Sequence, residues 1–150
     1  MNIKELIISL QNQEKNFDLL FETLLQKKNA IVSNNYVALD EVIKSEQNIL
    51  TMIDSEERIR RQLIEEFASK HSLSLINFSM DELLMSGKSN LVQEQKNIEK
   101  IRFNIKEKVL RINHLNSQLS VLIEVSRHMI KERMMVLLGN GKRKLVNKRV

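Results

Sequence analysis

Residues 3–31 read IKELIISLQNQEKNFDLLFETLLQKKNAI, and their apolar side chains recur every seven positions, at Ile3, Leu10, Phe17, Leu24 and Ile31. Ile7 and Phe21 fill intervening sites, and Glu14 and Lys28 are the two lapses. A spacing of 3.5 residues keeps one apolar seam on the same side of a helix, the pattern of coiled-coil packing. Neither proline nor glycine interrupts the stretch, so it predicts a helix of about 30 residues, roughly 45 Å long. Such a seam is buried only by other long helices.

Working outward, the Ser33-Asn34-Asn35 cluster supplies residues that favour turns and cap helices. A second helix is expected from about Tyr36 to Ser69, with Leu39, Val42, Ile49, Ile53, Leu63 and Phe67 on one face. Ser45, Glu46 and the charged run from Asp54 to Arg58 weaken the middle of that face. A short connection leaves neighbours side by side, which predicts a long antiparallel, coiled-coil-like helical hairpin. Residues 70–88 are less regular. Ser79-Met80-Asp81-Glu82 matches a capping box, so a short extra helix from Met80 to Met85, ended by Gly87, is expected in this connection.

The third helix starts near Ser89 or Asn90 and continues without a breaker to Leu138, about 50 residues and some 75 Å. Its seam runs through Leu91, Ile98, Ile101, Ile105, Val109, Ile112, Leu119, Leu122, Ile130 and Leu137. The expected fold class is therefore all-α, an elongated three-helix bundle with residues 1–138 as a single domain. Gly139-Asn140-Gly141 predicts a stop, after which the basic residues 139–150 have too little apolar content to order themselves and are expected to form a disordered tail. The third helix outruns the hairpin. Between Met129 and Leu138 seven of ten residues are apolar (Met129, Ile130, Met134, Met135, Val136, Leu137, Leu138), pointing almost all the way round the helix. A small bundle buries one stripe of each member, so this surplus calls for a partner, and flexible methionines suit repacking against it.

Composition narrows the class. The 150 residues are 42% apolar, an ordinary soluble value, yet only 4% aromatic, which suits narrow seams between helices better than a broad core. Cysteine is absent, so disulfides and thiolate chemistry are excluded and a reducing compartment is compatible. No apolar run approaches the roughly 20 residues of a membrane span, and the start Met1-Asn2-Ile3-Lys4-Glu5 does not resemble a secretory signal. A cytoplasmic location is expected. Net charge is −4 over residues 1–88 and +9 over residues 89–150, an asymmetry that points to an acidic partner or to charge matching between the halves.

Catalytic constellations are weak. His114 and His128 lie about 21 Å apart on one helix and cannot share a metal, and His128, one turn from Glu124 and Glu132, lacks the Glu-x-x-His pairs of di-iron bundles. Glu56-Glu57 and Glu65-Glu66 sit among Arg58, Arg60 and Arg61 and read as a solvated charged face. Phosphate-cradling glycine motifs are missing. The basic tail and the Lys/Arg residues of the third helix lack stacking aromatics and are interleaved with Glu94, Glu99 and Glu107, so nucleic acid is not the expected partner. Basic residues do not segregate opposite the Met129–Leu138 group, so membrane binding is not expected either. The expectation is no enzyme, no cofactor and no metal. Asn116, at a seam position between Ile112 and Leu119, reads as a residue that fixes helix register.

Two segments resemble the FlgN-type flagellar export chaperones, which escort hook–filament junction proteins to the flagellar secretion apparatus. Residues 34–50, NNYVALDEVIKSEQNIL, are similar to that family's turn and Leu-rich stretch, with Glu46 where the family usually has lysine. Ile112-Asn113-His114-Leu115-Asn116, continuing to Leu122-Ile123-Glu124, is similar to its Leu-Asn pair followed by an apolar pair and an acid or amide. The resemblance implies a long hairpin plus a third helix whose C-terminal half captures the C-terminal helical segments of hook-associated proteins, with Asn116, Leu119, Leu122 and Ile123 carried over as client contacts. The surplus apolar surface adds Ile130, Met134, Leu137 and Leu138. In some members a tyrosine beyond this helix contacts the export gate; the only tyrosine here is Tyr36, so that feature has no counterpart. The rival reading from another class is a structural helical homo-oligomer, or a generic coiled-coil interaction protein without a client.

Overall fold

The computed structural model describes residues 3–70 and 92–149, with side chains over 3–70 and 93–138. Among the described residues the chain forms helices and no strand: α1 (Ile3–Val32), α2 (Tyr36–Lys70) and α3 (Val92–Arg149). The expected short helix at Met80–Met85 and the expected cap at Ser89 or Asn90 lie outside the described residues.

The hairpin turn forms for local reasons. Asn34 adopts a φ of 55°, the left-handed conformation that asparagine tolerates better than most residues, and so ends α1. The Asn35 backbone N–H donates to Ala30 O at 3.0 Å, closing the last turn. Asn35 then caps α2, its Oδ1 accepting the Ala38 backbone N–H at 3.1 Å. One left-handed residue and one capping side chain thus join the two helices.

Helix α1 is the central element and packs along both α2 and α3. One apolar cluster joins Leu6 and Leu10 of α1 to Ile64 and Phe67 of α2 and to Ile98 and Ile101 of α3. A second joins Leu20 and Leu24 to Ile49 and to Ile112, Leu115 and Leu119. Residue numbers along α1 rise with those of α3 and fall with those of α2. Helix α2 is therefore antiparallel to α1, as expected of a hairpin, and α3 runs parallel to it. Having neighbours on two sides also explains why α1 departs from a single seam: Leu6 and Leu20 are buried, whereas Ile3, Ile7, Phe17, Phe21 and Ile31 are only partly covered.

A polar layer separates the two clusters. Gln13 Nε2 donates to Ile53 O at 3.1 Å, and Asn16 Nδ2 donates to Gln13 Oε1 at 3.1 Å. At the same level Lys108 Nζ of α3 lies 2.9 Å from Asp18 Oδ1 and 3.5 Å from Glu14 Oε1. The lapse at Glu14 is thus an interhelical ion pair, and Glu46, in the weak middle of α2, likewise sits 3.0 Å from Lys27 Nζ. Sliding a helix would strand the buried amides without partners, at roughly 1–3 kcal/mol each. The layer sets helix alignment, the task the sequence suggests for Asn116.

Two expectations are corrected. The seam position between Ile112 and Leu119 belongs to Leu115, which is buried, while Asn116 is exposed. By helical rotation the two positions flank the Ile112–Leu119 line equally, and α1 lies on the Leu115 side, where Leu115 joins the cluster with Leu20 and Leu24. The stop at Gly139-Asn140-Gly141 is also absent, because α3 stays helical through it to Arg149. Glycine in a helix interior costs about 1 kcal/mol relative to alanine, a penalty and not a prohibition, and no proline follows to force a break. Its 58 residues give α3 a length of about 87 Å, against about 45 Å for α1.

Candidate functional site

Because α1 and α3 run parallel, the end of α1 falls beside the middle of α3. The hairpin tip and α3 together enclose a groove of about 430 Å³. Ile31, Val32 and Tyr36 line it from the tip, and Leu122, Val125, Met129, Ile130 and Arg133 line it from α3. Beyond Arg133 the helix extends past the hairpin.

The eight residues singled out in the sequence divide along this geometry. Leu119 is only 3% exposed and belongs to the core cluster with Leu20 and Leu24, so its apolar surface is already covered by its own fold. Asn116 is exposed, and its backbone carbonyl accepts the Ser120 hydroxyl at 3.1 Å. Leu122 and Ile123 are half-buried at the level of the tip. Past them Ile130 is 53% exposed, Met134 56% and Leu137 84%, while Leu138 is half-buried.

The exposed residues are not scattered. Ile130 follows Ile112, and Leu137 follows Leu119, after about five full helical turns in each case. They prolong the very stripe that α3 uses to pack on the hairpin. That stripe has simply run out of hairpin. Met134 lies between them, within about 60° of either by the helical rotation. Further down, the same side of α3 is covered by α1.

Charges around the stripe are partly matched within α3. Arg127 Nη1 lies 3.8 Å from Glu124 Oε1, and His128 Nε2 lies 3.1 Å from Glu132 Oε1. Among the described residues Arg133, at the groove, has no ion-pair partner. Elsewhere Glu57 accepts hydrogen bonds from Arg60 Nε at 2.8 Å and Arg61 Nε at 3.3 Å. The Arg60 guanidinium, more than Arg61, holds the Glu57 carboxyl below the usual carboxylate range despite partial burial. Glu57 is thus an ion-paired carboxylate of a helix face, poorly suited to accept a proton at neutral pH. Among the described residues no three His, Asp or Glu side chains converge on a metal position, and no helix is long and apolar enough to cross a membrane.

A family model described as FlgN protein matches residues 1–147. The chain belongs to the FlgN family. FlgN proteins are chaperones of flagellar export, and the all-α hairpin with its long third helix is the frame on which this chain carries that role. No curated protein and no solved structure matches the chain.

The tip side of this groove does not stand out in the sequence. Val32 lines the groove from outside any segment singled out in the sequence, whereas Arg133 lies within residues 129–138 and Tyr36 within residues 34–50, neither with an expected contact. The usable signal was register: aligning the α1 seam with that of α3 in parallel sets Val32 near the middle of α3. Hydropathy alone does not choose between parallel and antiparallel.

Proposed function

We propose that this FlgN-family chain captures hook-associated, hook–filament junction proteins through the C-terminal half of α3 and keeps them unassembled until the export apparatus takes them. One observation carries the reading: the packing stripe of α3 continues from Ile130, at the hairpin tip, to Met134 and Leu137 beyond it, and it is exposed. An amphipathic client helix with anchors at i, i+3/i+4 and i+7 matches that spacing. Leu122, Ile123 and Leu138 extend the contact, Asn116 borders it, and Leu119 secures α3 to the hairpin beneath it. Residues 1–138 act as one cytoplasmic domain. Burying each anchor contributes up to roughly 1.5–3 kcal/mol toward the cost of association and ordering.

Self-association would use the same stripe, but charge opposes it. Residues 121–150 carry eight Lys/Arg against two Asp/Glu, a net of +6, so two copies pairing through this end repel each other. Sedimentation of the full chain, alone and with a hook-associated protein, tests the reading. A monomer that forms a one-to-one complex is expected. A homo-oligomer that survives dilution and ignores hook-associated proteins would overturn it.

A further inference from the structure

We infer that the client surface has two walls, the hairpin tip supplying the second through Val32 and Tyr36, and that Arg133 selects a client helix bearing a carboxylate at the matching turn. This rests on the proposed capture of a client by α3. A helix laid along Ile130, Met134 and Leu137 takes the place of the missing hairpin, so one end of it must abut the tip. The groove lies at that junction, between Ile31, Val32 and Tyr36 on one side and Val125, Met129 and Ile130 on the other.

The tip is suited to this contact. Val32 is 63% exposed and Tyr36 72%, and among the described residues the Tyr36 ring belongs to neither core cluster. Tyr36 opens α2 directly after the Asn35 cap, so its backbone is set in advance by the turn. An exposed aromatic at a capped helix start offers a large apolar face with a polar end. Such side chains are typical anchors of protein interfaces.

Charge commits the occupant. Arg127 and His128 already face Glu124 and Glu132 on their own helix, whereas Arg133 at the groove has no carboxylate among the described residues. Downstream lie Lys142, Arg143, Lys144, Lys148 and Arg149 with no acid. An acidic amphipathic helix completes this arrangement, and a second copy of this chain brings the same positive sign to it.

The test is a titration of the full chain with a synthetic peptide of a hook-associated protein's C-terminal helix, and with a copy whose Asp and Glu residues are changed to Lys. Tyr36→Ala and Arg133→Glu are each expected to weaken the natural peptide about tenfold, with helical circular dichroism unchanged. Arg133→Glu is also expected to bind the charge-reversed peptide more tightly than wild type does, a reversal that no loss of packing produces. If Met134→Asp with Leu137→Asp abolishes binding while Tyr36→Ala and Arg133→Glu bind like wild type, the two-walled groove is wrong and capture by α3 stands. If the wild-type chain binds neither peptide, capture by α3 fails and the groove inference falls with it.

Discussion

Changing Met134 and Leu137 together to aspartate is expected to weaken client binding at least about a hundredfold, because two apolar anchors are lost and two carboxylates meet an apolar partner face. The same change is expected to leave the melting temperature within about 2 °C of wild type, the range of substitutions made outside a core. Both positions lie past the end of α1, Met134 at 56% exposure and Leu137 at 84%, and neither belongs to an apolar cluster of the described residues. The aspartates stay hydrated in the lone chain, so the folded state has nothing to lose. Calorimetric titration against a hook-associated protein, paired with a thermal melt, separates the two effects. Unchanged binding by the doubly substituted chain would count against the assignment of this surface.

Leu24→Ala is expected to do the reverse. Leu24 is fully buried in the cluster with Leu20, Ile49, Ile112, Leu115 and Leu119, where all three helices meet. Removing most of that side chain forfeits its transfer energy and leaves a cavity that long, capped helices cannot easily close, at about 3 kcal/mol. For a chain of this size the melting temperature should fall by roughly 6–12 °C. Leu137→Ala, the same truncation made about 27 Å further along α3 from Leu119, should move it by less than about 2 °C. Thermal melts of the two variants check this pair. Equal destabilisation by both would mean that the end of α3 is already covered within the subunit.

The hairpin was readable because its signals are local and repeated. The seven-residue recurrence from Ile3 to Ile31 set the first helix, Asn34 and Asn35 carried the turn and cap, and an uninterrupted run set the third helix. The exposed end of α3 was readable for the related reason that its length exceeded what the hairpin covers. The errors arose where the outcome depends on which neighbour a face meets. Asn116 and Leu115 are adjacent on α3, and only the angle at which α1 approaches decides that Leu115 is buried and Asn116 is not. Leu119 continues the same stripe as Leu137, yet one faces Leu24 and the other faces solvent, a difference set by where α1 stops. The role of Glu14 was hidden likewise, since Lys108, its partner, is remote in sequence and reached only through parallel packing. Helix continuation through Gly139 and Gly141 shows the opposite limit: a weak local stop did not end a helix that no proline breaks.

Amide hydrogen exchange of the full chain, with and without a hook-associated protein, tests most directly whether the bare end of α3 is the capture surface. Slowed exchange along residues 122–138 and at the hairpin tip, with residues 93–119 unchanged, is the expected result. Protection confined to other parts of the chain, with residues 122–138 exchanging as fast in the complex as alone, would contradict it.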